Sequence, residues 1–502
     1  MKHINYTSTR NTNRTIKNLT SAQVIKHGMA DDGGLFMPSE IVKIDEIDEK
    51  TLENFLDKSY DELAAYILSL YLTDYDRSDI ENISKQAYSK MNFPDGAAKV
   101  AKVTEKINVL ELYHGPTSAF KDMALQVMPL LLRKAFDITG EKRKALILVA
   151  TSGDTGKAAL EGTKNLDGIN TLVFYPKDGV SEIQKLQMNT QDGNNVDVCS
   201  VAGNFDDCQT GVKKIFSDPE IKDAAEKNGI FISSANSINF GRLIPQVAYY
   251  FYGYIEMAKT GEIKFGEKID ISVPTGNFGN ILAAYFAKKM GLPVDKLICA
   301  SNINNILTDF FNTGIYDINR EFYTTMSPSM DILISSNLER LLYLLSGAEE
   351  NSKYMSDLKS KNKFIASDDL KHKLNEDFIG MFCDEENTSA TIKKIFEDYK
   401  YLIDTHTAVA FHCADEYLSQ NKSDKRMLVV STASAYKFVS DVYYSLTGKK
   451  ESDELNLRFK LRDYTGVKIP KALDELNNKS VRFDNTVEIG DMKNYVMKKL
   501  GK

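Results

Sequence analysis

The chain has 502 residues, 42% hydrophobic and 26% charged, with a formal net charge of -7. That length exceeds what one hydrophobic core organises, so two or three domains are expected. The ordinary balance of apolar and charged residues marks a globular protein, and the acidic charge argues against nucleic acid as the main partner.

The start, MKHINYTSTRNTNR, has no apolar core of the signal-peptide kind, and no apolar run is long enough to span a bilayer, so a cytoplasmic protein with no membrane partner is expected. The first hundred residues read as mostly helical, with amphipathic stretches near Leu52 to Leu72 and Ile80 to Met91. Next comes HGPTSAFKDMAL, His114 to Leu125. Gly115 and Pro116 turn the chain, Thr117 or Ser118 can cap, and Phe120, Met123, Ala124, Val127, Leu130 and Leu131 repeat at helical spacing. Lys121 therefore sits in a first helical turn, and is either an amine whose charge the helix dipole disfavours, easing access to a neutral nucleophile, or an ordinary surface lysine near a helix start.

From Lys144 onward, β-branched runs alternate with helical ones. The runs are Lys144 to Ala150, Asn170 to Pro176, Val196 to Gly203, Ile230 to Asn236, Lys268 to Gly276, Lys296 to Asn302 and Arg426 to Ser434. This alternation indicates an α/β fold with mainly parallel sheets. The stretch from about Ile303 to Asp404 reads as helix-rich, and a last helix is expected near Met492 to Leu500.

Several strands run into small polar residues and glycines, which is where open α/β sheets bind ligands. Thr275-Gly276-Asn277-Phe278-Gly279-Asn280 lies between a strand and an amphipathic helix, so its N–H groups can hold a phosphate or simply make a tight connection. Thr151-Ser152-Gly153-Asp154-Thr155-Gly156-Lys157 offers a second anion cradle, or an N-capped helix with a solvated lysine. It is not a nucleotide P-loop, because Thr151 and Ala158 stand where that motif requires glycine and Ser or Thr. Asn236, Ser237 and Arg242 add amide, hydroxyl and guanidinium donors for a carboxylate or phosphate. The five cysteines show no CxxC pair and the six histidines no HxxxH or HExxH spacing, so no metal site is expected.

These motifs resemble the threonine synthase family of pyridoxal-phosphate enzymes (fold type II). The resemblance runs over nearly the whole chain: Tyr6-x-Ser8-Thr9-Arg10, Asp32 to Phe36, HGPTSAFKD, TSGDTGKAA, Gly203 to Gln209, SANSINFGRLIPQ, PTGNFGN, SPSMDI, Ser336 to Leu342, and Asp404-x-His406-Thr407-Ala408-Val409. Departures occur at Asn11, at Thr405, and in STASAYKF, Ser431 to Phe438, where the family has STAHPAKF.

The resemblance implies pyridoxal 5'-phosphate bound covalently by Lys121, with Phe120 in the same motif. It implies that Gly276, Asn277, Phe278, Gly279 and Asn280 hold the cofactor phosphate, that Asp154 faces its phenolic oxygen, and that the Thr432 hydroxyl meets its pyridine nitrogen. The implied reaction converts O-phospho-L-homoserine and water to L-threonine and phosphate, with Ser152, Thr155, Lys157, Asn236, Ser237 and Arg242 as candidate substrate ligands. Ser8, Thr9 and Arg10 are either a contact near the site's mouth or purely structural, and His114 is left out of catalysis.

The expected architecture is two three-layer α/β domains with mainly parallel sheets around a cofactor cleft, plus a helical N-terminal region. Residues 1–98 form that region, 99–140 and 251–502 the larger domain, and 141–250 the smaller, in a monomer or homodimer. Two other readings stay open: another fold-type-II lyase, and a threonine-synthase-like protein that binds phosphorylated ligands without forming threonine.

Overall fold

The structure, a computed structural model, describes residues 3–44 and 54–501. Two large sheets organise it. In chain order the strands are β1 (Tyr6–Ser8), β2 (Phe36–Pro38), β3 (Lys99–Lys102), β4 (Ile107–Glu111), β5 (Lys144–Ala150), β6 (Ile169–Pro176), β7 (Val196–Ala202), β8 (Ile230–Ser233), β9 (Ile269–Pro274), β10 (Val294–Ser301), β11 (Ile315–Asp317), β12 (Lys363–Ile365), β13 (Phe378–Phe382), β14 (Met427–Ser431) and β15 (Thr486–Glu488). The six-stranded sheet has the order β13-β10-β9-β14-β4-β3, and the five-stranded sheet β15-β7-β6-β5-β8. Within these two sheets every pairing is parallel except that of the edge strand β3 with β4.

Parallel strands covered on both faces read as continuous apolar runs. Accordingly β9 (IDISVP) and β14 (MLVVS) are buried at every position. Their period-2 alternation divides two cores. Leu110, Ile271, Leu428 and Val430 face one, Ile107, Val109, Met427 and Val429 the other. The helix Pro245–Lys259 covers the first face, where Gly253 lies close enough to Leu428 and Leu110 that a Cβ would stand 3.1 Å from Leu428. The helix Thr405–Asn421 lies on the opposite side, with Ala408, Val409 and Cys413 in the second core. The smaller sheet is layered likewise. Ile147 and Val149 join the central core, while Leu146 and Leu148 pack with Met492, Val496 and Leu500 of the last helix.

Three features lie beyond the expectations. The first hundred residues hold three helices among those described, Ser21–His27, Tyr60–Tyr71 and Arg77–Ala87, beside the antiparallel pair β1 and β2, and Leu52 lies outside the described residues. The stretch read as helix-rich contains β13, a half-exposed edge strand whose FIGMF has a glycine at its centre and little propensity signal. β15 comes from the far C-terminus and pairs with β7, so a cut near residue 250 does not by itself separate the strands of the two sheets. No helix among the described residues is long and apolar enough to cross a membrane.

Candidate active site

Turns that follow strands of both sheets meet at Lys121, Asp154 and Lys437. The turn after β4 carries Lys121 and is stitched to the turn after β14. Leu112 N–H donates to Ser431 O at 3.0 Å, Phe120 N–H to Thr432 O at 2.7 Å and Ser434 N–H to Ser118 O at 3.1 Å. Thr432 is thus fixed one residue from the lysine's own backbone. The expected cap is not made by Thr117 or Ser118. The Asp122 carboxylate instead turns back and accepts Thr117 N–H at 2.8 Å and Thr117 Oγ1 at 2.7 Å, and Ser118 takes a left-handed φ of 58°. The helix that starts here is only Asp122–Leu125, followed by Met128–Thr139. Burial, more than a helix dipole, therefore dictates the state of Lys121.

Lys121 Nζ lies 3.8 Å from Asp154 Oδ2 and donates to Ser329 Oγ at 3.4 Å. Burial is the largest cause that brings its amine down to about 8; Asp154 opposes, and Arg242 and Lys437 add to the lowering. Asp154 begins the helix Asp154–Thr163 after Gly153, whose φ of 140° only glycine tolerates. Its Oδ1 accepts Gln184 Nε2 at 2.7 Å and lies 2.7 Å from Lys437 Nζ. Burial alone would raise this carboxyl, yet Lys437 and then Lys121 hold it well below the usual carboxylate range.

Arg242 is 4% exposed. Its Nη1 donates to Ala235 O at 2.8 Å, but its Nε has no partner and no carboxylate pairs with it among the described residues. Burial lowers this guanidinium to about 10. Lys437 and Lys121 thus share one strongly ionised carboxylate, Asp154, while Arg242 adds a third cation beside Lys121 and burial raises the neighbouring Asp122 to about 7. Such an excess calls for an anionic ligand, because buried charges are otherwise paired.

The loop after β9 supplies the cradle. Phe278 takes a left-handed φ of 65° at the start of the helix Gly279–Met290. Its ring repays that strain by stacking with Phe311 at 6.1 Å and packing on Phe378 at 5.9 Å. Gly276 is pressed under the turn Ser327–Met330, where a Cβ would meet Ser329 O at 2.6 Å. Asn337 pins the Asn277 carbonyl through its backbone N–H at 3.1 Å and its side-chain amide at 2.9 Å. Asn280 is buried, its Oδ1 receives Tyr249 and Tyr250, and its Nδ2 has no protein partner.

Among the other expected residues, Ser152 and Thr155 flank Asp154 half-buried, and Asn236 and Ser237 lie in the turn after β8. Ser237 Oγ is 3.4 Å from Ser336 Oγ, which also reaches Asn277 Oδ1 at 3.3 Å, so the smaller sheet's turn meets the glycine loop there. Lys157 does not join this group. Its ammonium is held by Glu161 at 3.1 Å and by Gln191, on a side chain only 7% exposed. The spacing of Lys157 and Glu161, four apart on a helix, was the available signal. Thr9 Oγ1 donates to Glu339 at 2.6 Å and Arg10 forms a two-point pair with the same carboxylate, which anchors the N-terminus to the helix Leu338–Lys361. His114 pairs with Glu111 at 2.8 Å.

Sequence reasoning assigned no role to Lys437, Ser329, His406 or Arg340, although each lies in a quoted motif. Arg340 is fully buried with no carboxylate paired to it among the described residues, and it ties Phe36 O and Ile238 O to Asn337 Oδ1 at its own helix start, joining two distant segments to that helix. Nothing in local spacing announces such contacts.

Comparison with known proteins gives a consistent picture. The family described as "Threonine synthase N terminus" matches residues 5–88, and "Pyridoxal-phosphate dependent enzyme" matches residues 99–433. The threonine synthase of Saccharomyces cerevisiae is 36% identical, over 99% of this chain and 98% of its own length. Threonine synthase-like 1 of Homo sapiens is 38% identical over 86% of this chain, which spans 58% of that longer protein. The crystal structure of PLP-bound threonine synthase from Brucella melitensis superposes with a TM-score of 0.86 at 32% identity, covering 99% of each chain.

Proposed function

The chain belongs to the threonine synthase family of pyridoxal-phosphate-dependent enzymes, and on that premise we propose how its own residues carry out the reaction. It is a PLP-dependent lyase of fold type II that converts O-phospho-L-homoserine and water to L-threonine and phosphate. The observation that carries the residue assignment is the excess of cations, Lys121, Lys437 and Arg242 against Asp154 and a carboxyl, Asp122, raised to about 7, at the carboxyl ends of strands from both sheets.

The residues present fit the cofactor. Lys121 is a buried amine brought to about 8, the loop Gly276–Asn280 opens a helix with the unpartnered Asn280 Nδ2 beside it, and Thr432 places a hydroxyl at the end of β14. When bound, pyridoxal phosphate supplies the electron sink that makes protons on the substrate's carbon chain removable. Lys121 would hold the cofactor and, as a free amine, would serve as the base that takes the substrate's proton at Cα and then at Cβ. Its value near 8 leaves a useful fraction of neutral amine at neutral pH.

The N–H groups of Gly276 to Asn280 hold the cofactor phosphate, with Phe278 locking the loop through its ring and Phe120 bracing Lys121. Asp154 would meet the phenolic side of the cofactor and Thr432 its ring nitrogen; a hydroxyl in that role would leave the ring uncharged, which favours elimination over transamination. Arg242, Ser152, Thr155, Asn236 and Ser237 bind the substrate's phosphate and carboxylate, two anions that match the surplus of positive charge. Lys157 supports the helix through Glu161 and stays outside this list. A cytoplasmic location fits the five free, buried cysteines, which form no disulfide.

The test is to supply O-phospho-L-homoserine to the holoenzyme and to Lys121→Ala, measuring phosphate and threonine together. Equal amounts of both from the holoenzyme, and neither from the variant, are expected. Phosphate accompanied by a 2-oxo acid in place of threonine would overturn the reading in favour of another lyase.

A further inference from the structure

Two lysines share one carboxylate in this cleft, and only one of them is accounted for by the reaction. Lys437 Nζ lies 2.7 Å from Asp154 Oδ1, while Lys121 Nζ stands 3.8 Å from Oδ2. Lys437 is fully buried, on the single turn Ala435–Phe438 that follows β14, and its other hydrogen bond goes to Thr117 O at 3.0 Å. We propose that Lys437 is a positioning residue for this reaction, the fixed counter-cation of Asp154 that leaves Lys121 a free base instead of half of an ion pair. The inference rests on the reading of Lys121 as the cofactor-binding amine.

The argument starts from charge. In its catalytic role Lys121 changes charge repeatedly, as it binds the cofactor, is released, and takes protons. A buried carboxylate with Lys121 as its sole cation would lose its partner each time, and a buried unpaired carboxylate either costs several kcal/mol or takes up a proton. Lys437 removes that dependence, because its ammonium is sealed from solvent and bonded on two sides. Gln184 on the same oxygen fixes the carboxylate's rotation, so that Oδ1 serves Lys437 and Oδ2 faces Lys121.

The groups facing this pair come from every neighbouring element. Thr117, Lys121 and Asp122 belong to the turn after β4, Gln184 to the helix Glu182–Asn189, and Arg242 to Phe240–Leu243. Asp122 does not compete for Lys437 as a full carboxylate, since burial raises it to about 7. Lys437 and Arg242 also push Lys121 in the direction of the neutral amine, adding to the dominant effect of burial.

The test uses the full chain, freed of cofactor and exposed to pyridoxal with cyanoborohydride across a pH series, with the labelled lysine located by mass spectrometry. In the wild type, labelling of Lys121 has its midpoint near about 8. Lys437→Met leaves Asp154 to pair with Lys121, and the midpoint should rise by about one pH unit, a roughly tenfold loss of label at pH 7. Asp154→Asn removes the opposing charge and should lower it. In the holoenzyme, the cofactor's absorption should be flat with pH for the wild type and acquire a titration in Lys437→Met, as Asp154 loses its fixed partner.

A folded Lys437→Met with an unmoved midpoint and a flat spectrum would overturn the proposal. Should that variant not fold, an unmoved midpoint in Asp154→Asn overturns it equally. Absence of label on Lys121 at any pH would instead sink the reading of Lys121 on which the inference rests.

Discussion

The backbone N–H of Ser329 donates to Nε2 of His406 at 3.1 Å, and the ring's Nδ1 faces Asp404 Oδ2 at 2.8 Å. The donor on Ser329 assigns Nε2 as the acceptor, which leaves Nδ1 to donate toward Asp404. Asp404 also caps the helix Thr405–Asn421, which gives the arrangement a rigid base. Its far end is the Ser329 hydroxyl, the group that receives Lys121 Nζ at 3.4 Å.

His406→Asn keeps a donor toward Asp404 but loses the acceptor for Ser329, whereas the longer amide of His406→Gln reaches the Nε2 position. The asparagine variant should lower kcat about tenfold with KM nearly unchanged, and the glutamine variant should recover most of it; an unmet buried N–H costs about 1–3 kcal/mol. Equal kcat values for the two variants would show that the acceptor at Nε2 does not matter.

Arg242 sits buried with its Nε unpartnered. A charge held that way is a cost to the unliganded fold and a gain only when an anion arrives. Arg242→Met should therefore leave the Tm of the unliganded protein equal or higher, while weakening inorganic phosphate and substrate binding by about a hundredfold. A large loss of Tm with unchanged phosphate affinity would make the residue structural.

Lys157 shows the converse. Burial would raise Glu161, but Lys157 and Lys164 hold it at about 2. The folded value lies below the unfolded value near about 4.3. The resulting stability is present above that pH and is lost as pH falls from about 4 toward about 2, roughly 3 kcal/mol in all. Lys157→Met should erase most of that acid transition and lower stability at pH 7 by about 2 kcal/mol, with KM for O-phospho-L-homoserine within about twofold. A tenfold rise in KM at unchanged stability would return Lys157 to the substrate site.

Gly162, on the helix that begins at Asp154, lies against Leu125, where a Cβ would come within 1.8 Å of the carbonyl oxygen. That oxygen is backbone and cannot step aside. Gly162→Ala should destabilise the protein by about 3 kcal/mol, seen in thermal or urea unfolding, and should disturb Lys121 through the same short helix. A wild-type Tm would mean the two helices part without cost.

Local chemistry made much of this molecule legible from its residues alone. The β-branched runs of β5 to β10 and β14 announced parallel strands, because they alternate with helical stretches along the chain. Lys121 and the run from Gly276 to Asn280 stood out because a tight turn feeding a helix is visible within ten residues. Tertiary structure alone decided which cations share the cleft. Lys157 and Asp154 are three residues apart, yet only Asp154 meets Lys121, while Lys437 arrives from 316 positions beyond Lys121. Edge strands β13 and β15 also escaped, since partial exposure weakens the apolar pattern and pairing is settled by a distant partner. Periodicity reports which face of an element is buried; it carries no information on which far segment packs there, and a charge's state in this cleft depends on that packing.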